Sequence, residues 1–121
     1  MPHSTQWISG VKKIAVLRAN ALGDFIFAQP ALEALRAAYP RAEIVLLGKA
    51  WHADYLRGRP GPVDRVEVVP PYRGVREPDT WSGPDAAGEA RIDEFFARMQ
   101  SERFDLAIQM HGGGGNSNPF V

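Results

Sequence analysis

Ile14-Ala15-Val16-Leu17-Arg18-Ala19-Asn20-Ala21-Leu22-Gly23-Asp24-Phe25 decides how this chain folds. Ile14 to Leu17 is a continuous apolar run, the pattern of a parallel strand covered on both faces. Asn20 to Asp24 reads as a tight turn, because Gly23 reaches backbone angles closed to other residues and Asp24 is a favoured helix N-cap type. Phe25, Ala28, Leu32, Leu35 and Tyr39 then recur at spacings of three and four, which is one face of a helix from Asp24 to about Ala38. Pro30 predicts a local disturbance in that helix, and Pro40 prevents its continuation.

Working outward, Glu43 to Gly48 is a second apolar strand, with Lys49-Ala50-Trp51-His52 at its carboxyl end and a short helix around Ala53 to Arg57. Val63 to Val69 alternates apolar with charged residues and suits an edge strand. Residues 70–88 carry Pro70, Pro71, Pro78, Pro84, Gly74, Gly83 and Gly88, and read as a long loop leaving the carboxyl end of the third strand. Tyr72, Arg73, Arg76 and Trp81 are its candidate ligand contacts, against the alternative of a solvated insertion. Ile92, Phe95, Phe96 and Met99 mark the core stripe of a helix over residues 89–102. Asp105 to Met110 is a fourth strand, and Ser117 or Asn118 would cap a helix beginning at Pro119.

This order predicts an α/β fold: a Rossmann-like parallel sheet of order 3-2-1-4 flanked by helices. A strand, loop and helix cut at the helix's first turn predicts a single N-terminal domain, residues 1–121, of a larger protein.

The 121 residues have room for one domain, and 45% apolar content supports a real core. Fourteen acidic and fourteen basic residues cancel, which argues against broad nucleic-acid binding. With no cysteine there is no thiol nucleophile, disulfide framework or thiolate metal site. The polar start lacks an apolar signal region, so the expectation is a cytoplasmic location. There is no Gly-x-Gly-x-x-Gly after the first strand, no Walker sequence and no His-Glu-x-x-His, and His3, His52 and His111 are too scattered to argue for a metal. No cofactor is expected.

In open α/β sheets ligands bind at the carboxyl ends of strands, beside helix N-termini. Asp24 belongs to that place, either as a cap alone or as a group that handles a proton. Arg18-Ala-Asn-Ala-Leu-Gly-Asp24, Gln29-Pro-Ala-Leu-Glu-Ala-Leu-Arg36, Tyr39-Pro-Arg-Ala-Glu-Ile44 and Phe104-Asp-Leu-Ala-Ile108 resemble the N-terminal domain of the glycosyltransferase family 9 heptosyltransferases. Those enzymes add heptose to the lipopolysaccharide inner core and have a GT-B fold of two Rossmann-like domains.

The resemblance implies an inverting transfer with Asp24 as general base, and Ala21, Leu22 and Gly23 close to the donor. Arg18, Asn20, His111, Gly112, Gly113, Asn116 and Ser117 fall on the acceptor side. It implies an ADP-sugar donor (ADP-L-glycero-D-manno-heptose), a lipopolysaccharide-core or other glycan acceptor, and peripheral contact with the inner membrane through that acceptor. It also implies a missing C-terminal nucleotide-binding domain, without which the 121 residues are inactive. Arg18 has the alternative of a surface ion pair.

The run His111-Gly112-Gly113-Gly114-Gly115 has three readings: an anion cradle, a plain flexible connection, or an esterase-like oxyanion loop. The last needs a Gly-x-Ser-x-Gly elbow, which the sequence lacks. From another class, the rival function is a stand-alone α/β module that binds a nucleotide or a partner and catalyses nothing.

Overall fold

The computed structural model describes residues 8–19, 22–111, 115 and 117–121, with the side chains of residues 22–24, 27, 117 and 118 outside that description. The elements in order are β1 (Lys13–Leu17), α1 (Leu22–Ala38), β2 (Glu43–Gly48), α2 (Ala50–Leu56), β3 (Arg65–Val68), α3 (Ala86–Glu102), β4 (Leu106–Gln109) and α4 (Ser117–Phe120). All strand pairings are parallel, and the sheet order is β3-β2-β1-β4. Ile14 pairs with Ile44 on one side and with Leu106 on the other.

The apolar runs are continuous because both faces of the sheet are covered. Ile14, Val16, Ile44 and Leu46 point to one layer, where Phe25 and Leu32 of α1 pack with Trp51 and Leu56 of α2. Ala15, Leu17, Val45 and Leu47 point to the other, with Phe95 of α3, Val75 and Phe120. The two-residue period of a strand sends neighbours to opposite faces. Each fully buried Ile, Leu or Phe stabilises this arrangement by roughly 1.5–3 kcal/mol.

Side-chain bonds set several boundaries away from their expected places. α1 begins at Leu22, so Leu22, Gly23 and Asp24 form its first turn, and Asp24 is its third residue rather than its cap. It runs unbroken through the exposed Pro30. α2 begins three residues early because His52 Nδ1 accepts from the Lys49 N–H at 2.9 Å and closes the helix start. α3 reaches back to Ala86 because Asp85 Oδ1 accepts from the Gly88 N–H at 2.7 Å. β3 is shorter than expected: the Asp64 carboxylate accepts from the Ile44 N–H at 2.7 Å and is itself held by Arg36.

At the amino ends of the strands, Asp105 Oδ2 accepts from the Lys12 and Lys13 N–H groups at 2.8 and 3.0 Å, which sets the register of β4 against β1. Lys13, Glu43, Arg65, Glu67 and Glu102 form a charge network beside it. The Lys13 ammonium, 2.6 Å from Glu102, holds that carboxyl below its ordinary range, with Arg65 adding to the effect.

Candidate functional site

The chain reverses its direction of winding between β1 and β4, and the carboxyl ends of these adjacent strands form the crevice where such sheets take ligands. Arg18 sits at the exit of β1. Its N–H donates to the Leu47 carbonyl at 3.1 Å, and its guanidinium Nη1 donates to the Met110 carbonyl in a short contact. One residue therefore ties the end of β1 to the ends of β2 and β4.

His111 closes the other side. Its ring is buried, and Nδ1 accepts from the Ala19 N–H at 3.1 Å. A backbone N–H can only donate, so Nδ1 carries no proton, and Nε2–H donates to the Gly74 carbonyl at 3.2 Å. Both ring nitrogens are thus engaged, which opposes a proton-carrying role. His111 instead fastens β1, β4 and the segment after β3 to one another.

That segment does not hang over the crevice along its whole length. Tyr72 and Arg76 pair through their backbones at 2.8 and 2.9 Å, around Gly74 at φ +75°. Tyr72 packs its ring against Phe120 and Phe96, with centroids 4.9 and 6.0 Å away, inside the α3-side layer. Arg76 donates to the Val69 carbonyl at 2.8 Å, and Arg73 lies 6.0 Å from the Trp81 ring centroid. Proline and glycine content predicted a loop; it carried no sign that Tyr72 would be drawn into a three-ring cluster.

Asp24 lies in the first turn of α1, at the exit of β1. A carboxylate in a first turn is favoured by the helix macrodipole. The next residue, Phe25, is fully buried and anchors this turn to α2, with ring centroids 5.1 Å from His52, 6.1 Å from Trp51 and 6.3 Å from Tyr55. Leu22 and Gly23 share the turn, and Ser117 opens α4. Asn20, Ala21, Gly112, Gly113 and Asn116 lie outside the described residues.

His52 is the residue that sequence reasoning passed over. It is fully buried, stacked on Trp51 at 3.8 Å, and its Nε2 has no hydrogen-bond partner among the described residues. Burial pushes its pKa down to about 4, so the ring is neutral near pH 7. Gly48 makes room for it: a Cβ there would stand 2.9 Å from His52 Nδ1 and 3.4 Å from the Arg18 carbonyl oxygen. A glycine ending a strand four residues before a histidine was the available signal. No group of three or more metal-ligating side chains occurs among the described residues, and no described helix is long and apolar enough to cross a membrane.

A crystal structure described as glycosyl transferase family 9 from Veillonella parvula DSM 2008 superposes on this chain with a TM-score of 0.64 over 90% of its length. The fold is shared with that protein. Sequence identity is 22%, and the chain spans 28% of that protein's length. No family model matches the sequence, and no curated protein matches it. The likeness supports the α/β Rossmann-like reading and its strand order.

Proposed function

We propose that this chain is the N-terminal, acceptor-side domain of an inverting glycosyltransferase, with Asp24 as the base that takes the proton from the acceptor hydroxyl. The observation that carries the reading is the position of Asp24 in the first turn of α1, at the β1–β4 switch point, in a fold shared with a family 9 glycosyl transferase. As the hydroxyl oxygen attacks the anomeric carbon, a carboxylate within reach accepts its proton and the nucleoside diphosphate leaves from the opposite face. Aromatic packing of Phe25 on His52 and Trp51 holds that turn in place before substrate arrives.

The donor in this reading is a nucleotide sugar, ADP-heptose first. Ala21, Leu22 and Gly23 bring backbone groups close to it, while a C-terminal domain binds most of the nucleotide. The acceptor is a glycan of lipopolysaccharide-core type, met by Arg18, Asn20, Gly112, Gly113, Asn116 and Ser117, and it brings the enzyme to the inner membrane. His111 shapes this wall by fixing the root of the glycine loop, and catalysis proceeds in the cytoplasm without a cofactor.

The test is ADP release from ADP-heptose by the complete enzyme with a lipopolysaccharide-core acceptor. Asp24→Asn should lower kcat about a hundredfold or more, the scale of a general base. Equal turnover by both proteins refutes the role of Asp24. Absence of turnover by the wild type refutes the donor and acceptor, and a panel of sugar nucleotides then replaces them.

A further inference from the structure

Beside the edge strand β3, a groove of about 470 Å³ runs along α3. It is lined by residues 68–71 and by Arg76, Arg91, Glu94, Phe95 and Arg98, and by none of Arg18, His52 or His111. Three guanidiniums and one carboxylate line it, and Glu67 pairs with Arg98 from beside the groove, which leaves a local positive excess on a chain whose formal charge is zero.

The three arginines differ in how far their charge is spent. Arg76 gives one Nη1 bond to the Val69 carbonyl, which aims it without neutralising it. Arg98 lies 3.2 Å from Glu67, but Glu67 is shared with Arg65 at 2.6 Å. The Arg98 guanidinium also lies 5.6 Å from the Phe95 ring centroid. Arg91 makes no hydrogen bond or ion pair among the described residues. Arg91 and Arg98 are seven residues apart on one helix, hence on the same side, about 10 Å apart along the axis. Arg76 approaches from a turn locked by the Tyr72–Arg76 backbone pair. Each guanidinium is permanently charged and offers five N–H donors in a planar fork that matches phosphate oxygens.

We propose that this groove binds a phosphate or diphosphate group, at a place separate from the strand-end crevice. The inference rests on the groove alone and not on the transferase reading. A phosphate monoester is a dianion near pH 7 and matches the local excess. The group arrives either on a small soluble molecule or as a lipid headgroup.

The 121-residue chain, labelled with ¹⁵N, is titrated at constant ionic strength with inorganic phosphate and with pyrophosphate. In a parallel arm, sedimentation compares vesicles containing phosphatidic acid, whose headgroup is a phosphate monoester, with vesicles of phosphatidylcholine. Saturable shifts of the amides at residues 72–76 and 88–98 are expected, with pyrophosphate bound more tightly. Arg91→Gln leaves melting unchanged, since the exposed Arg91 makes no hydrogen bond or ion pair among the described residues, and weakens binding about tenfold or more. Glu94→Gln removes the carboxylate that lines the groove and tightens binding, a change of opposite sign that general unfolding cannot mimic. Shifts with the soluble anions assign a soluble ligand; sedimentation with the anionic vesicles alone, lost in Arg91→Gln, assigns a headgroup. No response in either arm, or a response that Arg91→Gln leaves undiminished, overturns the proposal.

Discussion

His52 makes the stability of this domain depend on pH in a window that can be stated in advance. The ring titrates near its ordinary 6.5 when the chain is unfolded, and near 4 when it is buried against Trp51 and Phe25. Between those values the unfolded chain binds a proton that the folded chain refuses. Stability from the neutral ring is therefore complete above about 6.5, and falls as pH drops toward 4. A displacement from 6.5 to about 4 corresponds to about 3 kcal/mol in total. Of this, about 2 kcal/mol is lost between pH 7 and pH 5. The assay is urea denaturation of the wild type and of His52→Gln at pH 7, 6 and 5. Gln has the ring's polarity without its charge, so the difference between the two proteins isolates His52 from every other titrating group. His52→Gln is less stable at pH 7, because the aromatic packing is lost, and the gap narrows by about 2 kcal/mol at pH 5. A gap that stays constant across this range refutes the reasoning.

Three further outcomes follow from the same contacts. Gly48→Ala drives a methyl into the His52 ring and lowers stability by roughly 1–3 kcal/mol, read as a shift in the urea midpoint, because a buried ring between Trp51 and Phe25 has little room to yield. Asp105→Ala hands the Lys12 and Lys13 N–H groups to water and costs about 0.5–1.5 kcal/mol, with faster amide exchange at the start of β1 as its signature. Glu102 has a folded pKa below its ordinary 4.5, so its contribution is present above that value and is lost as pH falls through the lowered one. Acid titration of Glu102→Gln should lack that final loss, which sets in as pH falls past 4.5.

Strand and helix identities were legible because they depend on local periodicity. Ile14 to Leu17 and Ile44 to Leu47 are apolar at every position, the pattern of a sheet covered on both faces, and the order 3-2-1-4 followed from the alternation of elements. The α3 stripe of Phe95, Phe96 and Met99 was legible for the same reason. Boundaries were less so where a side chain closes a helix from outside its period, as Asp85 and His52 do.

The position of Asp24 after a buried strand could be read along the chain, but the arrangement around it is non-local. Ala19 and His111 are 92 residues apart, and no spacing rule connects a histidine to the amide at the end of another strand. Tyr72 reads as a loop aromatic until Phe96 and Phe120 are placed beside it. His52 reads as one of three scattered histidines until burial removes its water and Gly48 makes space for its ring. Local order came from hydrophobic period and turn chemistry, which act over a few residues. The partners of buried polar groups were decided by the packed sheet, because only there do distant segments exclude the water that would otherwise bond them.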